Sequence, residues 1–100
     1  MELNLKCERF NENLIKRRDD DVLGGVQYLF RFKNNYGASV IKHRVSYGHD
    51  RDLWELAVII FETDDNDSWN LTYQTSITCD VIGYLTDEEV EKLLEQIKEL

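Results

Sequence analysis

Between positions 53 and 61 the chain reads Leu, Trp, Glu, Leu, Ala, Val, Ile, Ile, Phe, apolar everywhere except Glu55. A strand on a protein surface alternates apolar with polar residues, so a short run that does not alternate belongs to a strand covered on both faces. This segment demands a layered fold with itself at the centre, and the flanking sequence supplies further strands for that sheet.

Upstream, Val26, Tyr28, Phe30 and Phe32 alternate with Gln27, Leu29, Arg31 and Lys33, the period of a strand with one buried face. Asn34, Asn35, Tyr36 and Gly37 signal a reversal, because Asn and Gly tolerate the positive φ that hairpin turns require. Residues 38–47 are rich in β-branched and aromatic side chains but include Lys42, His43 and Arg44, which predicts a strand with one face wet for part of its length. Residues 48–52 form the next turn. After the central run, residues 62–67 read as an exposed acidic loop, and Trp69, Leu71 and Tyr73 alternate with Asn70, Thr72 and Gln74 as a fourth meander strand. At the start of the chain Leu3, Leu5 and Cys7 alternate with Asn4 and Lys6, which predicts a short strand; a helix running on through Phe10, Leu14 and Ile15 is the alternative. Residues 11–21, with Lys16, Arg17 and Arg18 followed by Asp19, Asp20 and Asp21, read as a connector ended by Gly24 and Gly25.

The C-terminal helix is the best marked element. Thr86 with Glu89 three residues on forms a capping box, and Leu85 with Val90 is placed to staple across it. Replacing Thr86 with Ala should cost about 1 kcal/mol of stability, measurable by urea unfolding. Val90, Leu93, Leu94, Ile97 and Leu100 form one apolar stripe, while Glu88, Lys92, Glu95 and Glu99 point away. A helix of about fifteen residues is marginal alone in water, so it must dock on the sheet, across Trp54, Leu56 and Val58 or across the alternate set. Just before it, Thr78 is placed to cap a single helical turn over 79–82 that Gly83 closes. The expected fold is a single α+β domain spanning residues 1–100: an antiparallel meander sheet of four to five strands with one C-terminal helix packed on a face. One helix covers one face only, so the N-terminal segment, with Phe10, Leu14 and Ile15, is expected to cross the other; a partner or a second copy is the alternative.

A chain of 100 residues holds one core rather than two. Cys7 and Cys79 match no redox or zinc spacing and are expected as reduced, partly buried thiols. No apolar run approaches the roughly 18 residues of a membrane span, and the first ten residues lack a secretory core, so a cytoplasmic location is expected. The net charge of −8 opposes direct binding to nucleic acid. Its placement is uneven: Glu62, Asp64, Asp65 and Asp67 carry half of the excess, the last helix carries the other half, and the rest of the chain balances ten acids against ten bases.

No constellation supports catalysis, a metal or another cofactor. Residues 64–68 start with the alternating carboxylates of a calcium loop, but Trp69 and Thr75 stand where that loop needs Gly and Glu, so a solvated hairpin loop is expected. His43 and His49 share no ligand spacing and no nucleophile context and read as surface residues, although a pocket with Tyr47 would offer a ligand site. Asp19, Asp20 and Asp21 neutralise the basic run before them. Trp54, Trp69, Tyr28, Tyr36, Tyr47, Tyr73 and Phe30 lack the basic groove of a base-stacking sheet and are assigned to core packing.

The stretch 34–41, then Tyr47 and Gly48, then Leu53, Trp54, Glu55, Leu56, Ala57 and Val58, and finally 80–86 with the acidic helix, resembles small uncharacterised proteins encoded by bacteriophages and prophages. The resemblance covers residues 26–100. No activity is assigned to that group, so no functional residue carries over. A phage origin implies an accessory protein in the host cell, and an acidic one implies occupation of a basic site on a host enzyme or defence complex, as an inhibitor of the anti-CRISPR kind would do. The expectation is therefore a non-enzymatic interaction protein with Asp64, Asp65, Asp67, Glu88, Glu95 and Glu99 as contact residues. A homodimeric assembly protein and a small-ligand-binding module are the alternatives.

Overall fold

The computed structural model describes residues 3–22, 24–78 and 80–100, without the side chains of Asp20 and His49. Six strands form one antiparallel sheet: β1 (Leu14–Asp20), β2 (Gly25–Arg31), β3 (Tyr36–Lys42), β4 (Trp54–Phe61), β5 (Trp69–Leu71) and β6 (Ile82–Leu85). Helix α1 (Asp87–Lys98) follows. The first five strands lie in chain order, and β6 joins the same side of β4 as β5, pairing Trp54 with Leu85 where β5 pairs Phe61 with Trp69. The apolar run is thus interior, and along β4 only Glu55 and Ile60 escape full burial. No helix among the described residues is long and apolar enough to cross a membrane.

The capping box forms as expected: Thr86 Oγ1 accepts from Glu89 N at 3.2 Å and Glu89 Oε1 accepts from Thr86 N at 3.1 Å. Behind it α1 buries Val90, Leu94 and Ile97 in one cluster with Trp54, Leu56, Val58, Tyr28, Phe30 and Val40. The helix lies over β3, β4 and β6.

Four expectations are corrected by this architecture. The N-terminal segment does not cross the second face. Its alternation does turn Leu3, Leu5 and Cys7 inward, but residues 3–7 pair with no strand among the described residues, and tight 3-10 turns (Glu8–Asn13) follow. They bury Phe10 edge-on against Phe32, ring centres 5.9 Å apart, beside α1 on the same face. The reason is coverage: α1 leaves the β2 side of that face bare, and Tyr28 Oη fastens the segment there by donating to Leu3 O and accepting from Leu5 N.

The expected connector contains a strand. β1 pairs with β2 from Leu14 opposite Phe30 to Asp20 opposite Gly25, with an irregularity between Leu14 and Lys16. Its charged side chains read as loop in sequence, but an edge strand keeps them in water while its backbone satisfies that of β2. Residues 82–85 form β6 rather than the end of a helical turn, because the first half of β4 needs a backbone partner; Gly83 allows the approach, since a Cβ there would strike Tyr47. The Thr78 hydroxyl closes a local turn with the backbone of Asp80, and Cys79 lies outside the described residues.

Two side-chain expectations also change. Tyr47 and Tyr73, assigned to the core, are 61% and 41% exposed. Lys42, expected on a wet face, is buried, because strand alternation from Ala38 and Val40 places it on the core side. Its Nζ lies 3.2 Å from Asp52 Oδ1 and 4.2 Å above the centre of the Trp54 ring.

Candidate functional site

The acidic loop joining β4 to β5 is a built structure. Arg31, at the end of β2, donates four hydrogen bonds, to the carbonyls of Thr63 and Asp64 and to the side-chain oxygens of Asn66 and Asn35. Its guanidinium also lies 4.4 Å from the centre of the Phe61 ring. Inside the loop Thr63 Oγ1 accepts from Asp65 N, Asp65 Oδ1 accepts from Asp67 N, and the Ser68 hydroxyl donates to the carbonyls of Thr63 and Asp65. The backbone is held from beneath while Asp64 and Asp67 remain exposed. The Asp65 carboxylate is exposed as well, with one oxygen accepting from the Asp67 amide. Among the described residues no three His, Cys, Asp or Glu side chains are grouped to hold a metal ion.

The helix carboxylates fall into separate roles. Arg9 pairs with Glu91 at 2.9 Å and Glu95 at 2.8 Å, and the Glu91 hydrogen bond raises the guanidinium pKa further. Asp87 accepts from Trp54 Nε1 at 2.9 Å, and Glu89 closes the capping box. Glu88 and Glu99 are exposed at opposite ends of α1, about 16 Å apart along its axis.

Topology decides which of the six expected contact residues stand together. Asn34 Nδ2 donates to the carbonyls of Ile97, Lys98 and Leu100, seating the C-terminal end of α1 on the β2–β3 turn. Asn35 in that turn also accepts from Arg31, and its carbonyl accepts from Phe61 N. Asp64, Asp65, Asp67 and Glu99 therefore share one end of the molecule, Glu88 lies at the other, and Glu95 is engaged by Arg9.

The second face of the sheet carries a feature that the sequence did not signal. Leu29, Ile59 and Phe61 form a small cluster with Ile15 and Trp69 at one end. Beyond it lies an open cleft of about 650 Å³, lined among others by Gln27, Ser39, Ile41, Ala57, His43 and Leu71. Small residues at 39 and 57 make the floor concave, and Arg18 Nε donates to Gln27, which donates to Ser39. His43 reaches this cleft while Tyr47 stands exposed on the surface. Also exposed are Val45 and Tyr84; Tyr84 has a φ of +60°, a strained value for an aromatic residue.

Fold and surface together define a class: an α+β meander with its core on one face, a partly open second face and a clasped anionic loop. Comparison of the chain with protein-family models, with curated proteins and with solved structures finds no match.

Proposed function

We propose that this chain is a phage-encoded accessory protein that binds a host protein and modulates or inhibits it without catalysis, the target being of the class of nucleic-acid-binding defence effectors. The single supporting observation is the preorganised anionic loop. A flexible acidic loop would lose conformational freedom on docking, whereas a loop already clasped by Arg31 presents its charge at a smaller ordering cost. A fixed anionic end suits a basic groove that otherwise holds a phosphate backbone.

The test is capture from host lysate with the full chain, with and without excess DNA, compared with a variant changing Asp64, Asp65, Asp67, Glu88, Glu95 and Glu99 to Asn or Gln. The expected result is a target that DNA displaces and the variant fails to retain. Retention of the same target by the variant, or in excess DNA, overturns the electrostatic mechanism.

The cleft favours a second reading, a small-ligand-binding module, because its volume lies within the usual range for such sites. A metabolite that raises Tm for the wild type but not for Ala57→Trp, which fills the floor, would support it. Equal shifts in both would remove it.

A further inference from the structure

We propose that β1 is a self-complementary edge through which two copies of this chain form a two-fold dimer with a continuous sheet. β1 stands at the end of the strand order and pairs with β2 alone among the described residues. Its outer side presents the backbone donors and acceptors of alternate residues along a seven-residue strand without proline. Natural edges of this kind are commonly blunted by charged side chains, proline or bulges.

This edge carries both signs in mirrored order: Lys16, Arg17 and Arg18, then Asp19, Asp20 and Asp21. In an antiparallel pair generated by a two-fold axis normal to the sheet, directly opposed residues must lie on the same face, so their numbers differ by an even count. An axis through Arg18 meets that condition and places Arg17 of each copy opposite Asp19 of the other. Within one copy these side chains already lie on one face and pair at 3.1 Å, so dimerisation extends that pair into a four-charge network. The only like pair is Arg18 against itself. Its Nε is drawn back onto β2 by Gln27 Oε1 at 2.6 Å, away from the axis. Arg18 and Asp19 also line the cleft, so the two clefts would stand side by side across the axis.

Sedimentation equilibrium of the full chain should give a mass near twice 11.9 kDa. Raising salt from about 0.05 M to about 0.5 M should shift the dimer midpoint to roughly tenfold higher concentration, because exposed pairs are screened. Arg17→Asp and Asp19→Arg each set like charges opposite one another and should be monomeric alone, whereas their equimolar mixture should associate. Hydrogen exchange of the wild type, which needs no variant, should show protection over residues 14–20 that rises with protein concentration. A wild-type mass of 11.9 kDa at every concentration and salt overturns the proposal. So does a wild-type dimer whose residues 14–20 gain no protection, or two folded single variants that fail to associate when mixed.

Discussion

Lys42 threads its aliphatic stem through the core face and leaves its ammonium between the Trp54 ring and Asp52, whose own side chain is 48% exposed. The pair is therefore asymmetric. Lys42→Met removes the buried charge while the half-exposed Asp52 carboxylate keeps its access to water, so stability should change by less than about 1 kcal/mol. Asp52→Asn keeps a residue that tolerates the local φ of +59° but withdraws the carboxylate from a buried cation, and should cost about 2 kcal/mol. Urea unfolding of both variants measures the difference. Cys7 is a second buried group with a directional effect. Burial, then the carboxylates of Glu91, Asp87 and Glu8, push its thiol up to about 12 from an ordinary 9.0. The folded chain keeps this proton where the unfolded chain has lost it, so the contribution is whole below the ordinary value and is lost as pH rises through the raised one. Cys7→Ala should flatten the alkaline decline in stability between about pH 9 and about pH 12, read by urea unfolding. In a Cys79→Ser background, native Cys7 should resist a thiol reagent until denaturant is added.

Elements show where sequence patterns suffice. α1 was legible from Thr86 to Ile97, because capping and the three-to-four spacing are local rules that α1 obeys. β2 and β4 were legible from their alternation and their unbroken run. β1 and β6 were not, because a strand's existence at an edge depends on the backbone beside it: Lys16, Arg17 and Arg18 carry no strand signal of their own. The acidic loop was placed correctly, but its rigidity comes from Arg31, about thirty residues earlier in the chain. Arg31→Ala removes four hydrogen bonds and the stacking on Phe61, and should cost about 1 to 2 kcal/mol. Hydrogen exchange should speed up across residues 62–68 while α1 is unchanged; unchanged loop exchange would show that the clasp is dispensable.

At the scale of the whole molecule the N-terminal segment and α1 share one face and close a single core. Phe10 is 2% exposed within it, so Phe10→Ala should cost about 3 kcal/mol or more and lower the midpoint of one cooperative transition rather than loosen the N-terminus alone. A two-step melt would contradict that. The sequence by itself determined the α+β class, the central strand, the helix with its cap and the two sites where negative charge accumulates, because each follows from composition or from spacing within a few residues. Only the tertiary structure decided which face the N-terminal segment covers, which charged segment becomes the sheet edge and which carboxylates remain available. Those outcomes depend on what lies opposite each backbone group and each apolar surface after the chain has closed on itself, and separation along the sequence carries no record of that.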